Sequence, residues 1–314
     1  MWGDKRYHSL DHEMKRIYGG KVYRLSLSSF CGCPNRDGCI SRGGCIFCSA
    51  AGSGDFAQAP SEDIDRQIEK AKELVSGKLG SPPAGYIAYF QSFTNTYGDP
   101  KRLRELFERA AIRDDILILS IATRPDCLPD EIMDMLRYLR SIKPVWVELG
   151  LQTADDSVAE FINRGYRLEV FENAFHMLKA ADIGVITHVI AGLPYEDEEA
   201  TKATVRYLAG LSHEGQHMDG IKLQLLHVLK DTRLHELYLE GKAHIREYSL
   251  EEYANLITEL LELLPGDMVV HRLTGDAPKR LLVAPLWSAD KKRVLNTIMK
   301  YMKERDTWQG RRFT

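Results

Sequence analysis

Five of the six cysteines in this chain, Cys31, Cys33, Cys39, Cys45 and Cys48, fall within 18 residues, and the sixth is Cys127. Cys45 and Cys48 make a C-x-x-C pair, a spacing at which two thiolates bind one metal centre. A third thiolate from upstream would leave one iron of a four-iron cluster without a protein ligand, and an open iron is where a small molecule can coordinate. Gly32, Gly38, Gly43 and Gly44 suit a loop wrapped closely round a bulky inorganic group. The residues leave other readings open. One is a four-thiolate zinc site that adds Cys31 or Cys39 to the pair. Another is a redox dithiol, against which stands the position of the pair behind a glycine loop. Such crowding of cysteines in a 314-residue chain favours metal or redox use over a disulfide framework.

A scaffold must hold such a loop. Val22–Phe30 (VYRLSLSSF) alternates apolar and polar residues like a strand and runs into the cysteine loop. That loop continues through Ala59, too long for a simple turn. A polar helix from about Ser61 to Ser76 precedes a strand at 86–93. The alternation goes on: helices 100–112 and 129–141 precede strands 115–122 and 144–151. Helical stretches 155–163 and 168–181 precede strand 183–191, and helix 196–211 precedes strand 219–227. Six strand-then-helix units with mostly apolar strands predict an α/β fold, a parallel sheet covered by helices in an open, partial (β/α)6 TIM-like barrel over residues 21–230. Residues 1–20 form a basic N-terminal segment. Residues 231–314 form a small α+β extension, with helices at 232–240, 249–263 and 288–305 and short strands near 267–272 and 280–285.

The composition, 44% hydrophobic and 28% charged, is that of an ordinary globular protein. No apolar run reaches the roughly 18 residues a membrane span needs, and the first 20 residues lack a signal-like apolar stretch. A cytoplasmic location with no membrane partner is the expectation. Net charge is −3, unevenly placed: residues 270–314 hold 11 Lys/Arg against 4 Asp/Glu, and residues 1–30 hold 6 against 3. Basic ends around an acidic middle predict a polyanion-binding surface if the two ends meet in the fold.

CPNRDG followed by RGGCIFCS resembles the cluster loop of the radical SAM superfamily, in the branch called YhcC/YtqA-like, itself similar to the radical SAM domain of the Elongator catalytic subunit. The resemblance covers nearly the whole chain: YFQSFTNTYGDP (89–100), ATRPDCL (122–128), WVELGLQT (146–153), INRGY (162–166), AGLPYE (191–196) and RLTGDAP (272–278) occur in the order of that branch. It implies a [4Fe–4S] cluster on Cys33, Cys45 and Cys48. Cys31 and Cys39 depart from the branch and are expected to be spare thiols, the alternative being a second cluster with Cys127.

The resemblance also implies an S-adenosylmethionine site at the C-terminal ends of the strands, the reactive face of parallel α/β barrels. There Phe47 would cover the adenine, or simply pack the loop. Gln91 and Ser92 would cradle the amino group. Gln152 would contact the ribose, or cap a helix. Arg164 suits pairing with the carboxylate in a forked geometry, or stands exposed at a helix end. Gly192, Leu193 and Pro194 would line the adenine. Tyr166 stands where the branch commonly reads NRGH. Glu148 points inward by alternation, as a substrate-site carboxylate or as the partner of a barrel lysine such as Lys222. The implied chemistry takes one electron, from a reductant such as flavodoxin or ferredoxin, through the cluster to the sulfonium. A 5′-deoxyadenosyl radical results and abstracts a substrate hydrogen.

For the substrate, the Elongator-like resemblance and the basic ends point to tRNA. Relatives in the branch look like enzymes acting on the 5-side chain of the wobble uridine, here carboxymethylaminomethyl remodelled toward aminomethyl. Lys279, Arg280, Lys291, Lys292 and Arg293 would contact phosphates, with Trp287 and Trp308 offering stacking surfaces; alternatively helix 288–305 is an ordinary charged surface helix. Two other function classes stay open: a radical enzyme on a small metabolite or protein, and a non-enzymatic iron–sulfur or zinc module.

Overall fold

A computed structural model describes residues 1–52, 54–58, 63–77 and 82–313 of the chain. Seven strands carry the fold: β1 (Val22–Leu27), β2 (Gly85–Phe90), β3 (Ile116–Thr123), β4 (Val145–Gln152), β5 (Gly184–Ala191), β6 (Gly220–Leu225) and β7 (Val269–Arg272). They pair in that order, every neighbour parallel. The helices run α1 (Leu10–Tyr18), α2 (Pro34–Asp37), α3 (Ile64–Ser76), α4 (Pro100–Ala111), α5 (Asp130–Ile142), α6 (Asp156–Phe161), α7 (Leu168–Ala180), α8 (Glu198–Gly210), α9 (Arg233–Leu239), α10 (Leu250–Leu263) and α11 (Lys291–Glu304). The expected partial barrel is present with one strand more than expected. Val269–Arg272, read above as part of an extension, pairs in parallel with β6, so the sheet does not end at residue 230. The expected helix start at Ser61 and the loop end at Ala59 lie outside the described residues.

Alternation along each strand explains the layers. Leu25, Leu27, Phe90, Leu119, Val147, Leu149, Val185 and Leu223 point outward into one core with Leu103 and Phe107 of α4, Leu136 of α5, Phe171 and Phe175 of α7 and Ile257 of α10. The inward residues meet Met14 of α1, which packs with Ile87, Ile118 and Trp146 and plugs the N-terminal end of the bore. Above this plug the inward residues turn polar.

β1 and β7 are the sheet's edges and are not paired with each other. Side chains close the seam instead: an Arg24 Nη nitrogen lies 2.6 Å from His271 Nδ1. Outside it, the Val270 N–H donates to the His8 carbonyl at 2.7 Å, which shields β7 from pairing with another chain. The C-terminal tail completes this clasp. Arg6 pairs with Asp306 at 2.9 Å, and the Gln309 N–H donates to the Arg6 carbonyl at 2.9 Å. The two basic ends of the chain therefore meet.

Candidate active site

The cysteine loop leaves the top of β1 and is pinned by its own polar residues. Cys33 is the N-cap of the short helix α2, with Pro34 at the first helical position. Arg36 reaches across the loop and donates to the carbonyls of Cys48 at 3.2 Å and Ser49 at 2.5 Å. Gly44 makes room for this arm: at φ +81° its Cβ would sit 2.8 Å from Arg36 Nε. A second tie runs to the loop after α6. Asn35 Nδ2 donates to the Asn163 carbonyl at 2.5 Å and lies 3.8 Å from Cys45 Sγ, and Asn163 Nδ2 donates to the Gly44 carbonyl at 2.8 Å. The CPNRDG and NRG segments thus hold each other, which the sequence spacing could not reveal because they lie some 128 residues apart.

Cys33, Cys45 and Cys48 line one cavity of about 780 Å³ that runs into the barrel. The other three cysteines lie elsewhere. Cys31 is buried in the outer core, and Cys39 and Cys127 border a separate surface hollow with Tyr97 and Ile40. Cys39 Sγ accepts a hydrogen bond from the Tyr97 hydroxyl at 2.9 Å, and burial pushes the Cys127 thiol up to about 12. Cys39→Ala should therefore leave the visible absorbance of reconstituted protein intact, and loss of colour in that variant would show a different ligand set.

The three cavity thiols fit the four-iron cluster. Cys45 is held well above its ordinary value, first by its hydrogen bond with Cys48, then by burial and by the charges of Cys48 and Cys33. The Arg124 charge offsets only part of this, and iron would supply the rest of the positive charge that three thiolates need. Among the described residues no three His, Cys, Asp or Glu side chains group tightly enough for a single ion. A cube with separate iron corners does not require its ligands to converge on a point. When bound, the cluster supplies an electron and a coordination position.

Of the other expected site residues, Phe47, Gln91, Gln152, Arg164, Glu148, Lys222 and Lys291 line the same cavity. Gln152, at φ +64°, curls back over Gly150, whose Cβ would sit 2.6 Å from its Nε2. The rest do not line it. Ser92 is buried behind Gly54, Gly192 rests against the Tyr248 ring, Leu193 packs with Ile46 and Ile162, and Pro194 is buried. Arg164 also needs correction. Its guanidinium is 1% exposed and donates to the carbonyls of Tyr166, Leu151 and Thr153 and to Asp156, leaving one of its five N–H groups. It clamps the end of β4 to the loop after α6 and has no free fork for a cofactor carboxylate. Lys279, Arg280, Lys292 and Arg293 are exposed, Lys292 and Arg293 with Lys300 along a shallow groove on α11. Trp287 is tied into the fold by its indole N–H to the Tyr248 carbonyl at 2.8 Å, whereas Trp308 is 44% exposed under Arg311.

Inside the barrel Glu148 is the hub. Its carboxylate accepts from Ser120 Oγ at 2.8 Å, from His188 Nε2 at 2.8 Å and from Lys222 Nζ, which also reaches the Tyr89 hydroxyl at 3.0 Å. Burial alone would raise the Glu148 carboxyl, but Lys222, His188 and Arg24 outweigh it and hold it well below the usual range. Burial, then the Lys222 charge, pulls His188 from 6.5 down to about 4, so its ring is neutral and its Nε2–H donates to Glu148. Arg24 and His188 escaped the sequence reading, although both fall on inward positions by the same alternation that singles out Glu148.

His188 predicts an acid limb of stability. Its folded value lies below its unfolded value, so between pH 6.5 and about 4 the unfolded chain binds more protons and stability falls with acidification. Glu196, pushed up to about 7 by burial, acts in the opposite sense over part of that range. The difference between wild type and His188→Gln isolates this contribution: urea midpoints should fall less steeply with acid in the variant, and parallel curves would refute the assignment.

Comparison with known proteins agrees with this geometry. The family model "Radical SAM superfamily" matches residues 28–208, and "Radical_SAM C-terminal domain" matches 218–304. The "uncharacterized protein YtqA" of Bacillus subtilis is 41% identical over 99% of this chain and 94% of its own length. Protein YhcC of Escherichia coli is 33% identical over 93% and 91%. Elongator complex protein 3 of Mus musculus is 27% identical over 73% of this chain but only 37% of its own. Among solved structures, the archaeal Methanocaldococcus infernus Elp3 with an N-terminal deletion superposes with a TM-score of 0.64 at 19% identity, covering 79% of this chain and 60% of that one, a likeness of fold. A parallel half-barrel with three thiols on its cavity, matched along its length, makes this chain a member of the radical SAM superfamily, whose cofactors are a [4Fe–4S] cluster and S-adenosylmethionine.

Proposed function

We propose that this radical SAM protein modifies tRNA, remodelling the carboxymethylaminomethyl group at position 5 of the wobble uridine toward aminomethyl. In this reading Cys33, Cys45 and Cys48 hold the cluster, and Phe47, Gln91 and Gln152 border the S-adenosylmethionine. A small flavin or iron–sulfur protein such as flavodoxin or ferredoxin supplies the electron. The observation that carries the enzymatic part is the convergence of those three thiols on a cavity that continues into the barrel. The tRNA part is supported by the likeness to the Elongator protein and by the meeting of the two basic ends at Arg6, Asp306 and Gln309. The exposed cations Lys279, Arg280, Lys292, Arg293 and Arg311 are the phosphate contacts in this reading.

The test is anaerobic. Reconstituted protein with reductant and S-adenosylmethionine should release 5′-deoxyadenosine faster when tRNA bearing the carboxymethylaminomethyl group is added, and tRNA binding should weaken steeply with salt. Mass spectrometry of tRNA nucleosides from a deletion strain should show that precursor accumulating. An unchanged nucleoside profile would remove the tRNA reading.

A further inference from the structure

We propose that the β1–β6–β7 wall of the cavity is a subsite for a carboxylate of the substrate, with Arg24 as the group that pairs with it. Four cations line this cavity on that side: Arg24 of β1, Lys222 of β6, Arg272 of β7 and Lys291 at the start of α11. Two carboxylates answer them. Glu148 is taken by Lys222, and Asp276 by Arg272 at 3.2 Å and Lys291 at 2.8 Å. His188 and His271 bring no charge, since burial pulls both down. Among the described residues the wall therefore carries an excess of two positive charges, and no carboxylate is in contact with Arg24. Its guanidinium touches His271 on one nitrogen, its Nε is buried with no partner, and the side chain is partly open to the cavity. A half-buried cation whose nearby carboxylate, Glu148, is already engaged by Lys222 is costly to hold, and an anion arriving in the cavity removes that cost.

A carboxylate fits better than a backbone phosphate. A phosphodiester brings a sugar on each side and cannot end in a cavity closed below by Met14 and Trp146, whereas a carboxylate is the tip of a slender arm. Which carboxylate it is rests on the tRNA reading above: the terminal one of the carboxymethylaminomethyl group, drawn toward Arg24 so that the methylene carbons beside the amine lie between this wall and the thiols.

Binding tests this on reconstituted protein without reductant. Wild type should bind tRNA carrying the carboxymethylaminomethyl group about 10- to 100-fold tighter than tRNA carrying aminomethyl, the range expected for one charge-assisted pair. Arg24→Gln should erase that preference and leave aminomethyl-tRNA binding unchanged; Arg24→Lys should keep part of it. Because Arg24 also staples the seam, Arg272→Gln is the second variant, expected to reduce the preference without touching the Arg24–His271 contact. Equal affinity for the two tRNAs in wild type, or a preference that survives in both Gln variants, overturns the subsite and leaves the tRNA reading standing. Should neither tRNA stimulate deoxyadenosine release, that reading fails, and calorimetric titration with N-methylglycine decides the subsite alone. Heat in wild type that vanishes in Arg24→Gln sustains it, and no heat in wild type overturns it.

Discussion

Exchanging Cys45 for alanine will abolish the broad brown absorbance of the reconstituted protein and with it all reductive cleavage of S-adenosylmethionine. Cys45 hydrogen-bonds with Cys48 and feels the charge of Cys33, and its loss leaves only Cys33 and Cys48 of the cavity's cysteines. Two thiolates do not retain a four-iron cube against loss of iron. The fold should survive, because the loop is held by Arg36, Asn35 and Asn163 and not by the sulfur. Iron and sulfide analysis beside a circular dichroism spectrum separates the two effects. A Cys45→Ala protein that folds, keeps near-normal iron and remains brown would exclude Cys45 as a ligand.

The second large effect is on stability. Glu148 and Lys222 are each 1% exposed, and removing either leaves the other charged with too few partners. Breaking such a pair costs about 3–5 kcal/mol, whereas replacing both members by apolar residues of similar size is often close to neutral. Lys222→Met should therefore lower unfolding free energy by about 3–5 kcal/mol. Glu148→Gln should act in the same direction, and the Glu148→Gln/Lys222→Met double variant should lose clearly less than the two single losses together. Denaturant titration of the four proteins gives the coupling. Strict additivity would mean that the two side chains are not a pair in solution. His188 modifies the outcome in a readable way: with Lys222 gone, a cation that depresses its value is lost and Glu148 remains beside it, so its titration should move up toward neutral pH.

The sequence made the scaffold and the thiol triad legible to different degrees. Six strands announced themselves because each is long, apolar on its outer face and followed by a helix. Val269–Arg272 did not: four residues carry too little periodicity to be told from an edge piece. Glu148 and Lys222 were readable as inward-facing by alternation, and pairing with Lys222 was one of two options left open. Arg24 lay in the same kind of pattern, in VYRLSL, but a basic residue in an edge strand reads equally well as solvated. The misplacement of Arg164 has a different cause. A motif fixes which residue sits at a position, yet the direction of a long side chain depends on which carbonyls lie within reach, here those of Leu151, Thr153 and Tyr166. The same holds for Asn35 and Asn163, whose mutual grip joins segments distant in the chain.

The seam between β1 and β7 has a consequence for how wide the bore can be. In a closed barrel, strand number and shear fix the diameter through an unbroken ring of backbone hydrogen bonds. Here the ring is interrupted, and its circumference is set at the gap by the reach of one arginine to one histidine and by the girth of Met14 beneath them. Diameter has become a property of a few side chains, so relatives can be re-bored for a thicker or thinner guest by changing those residues while every helix stays where it is.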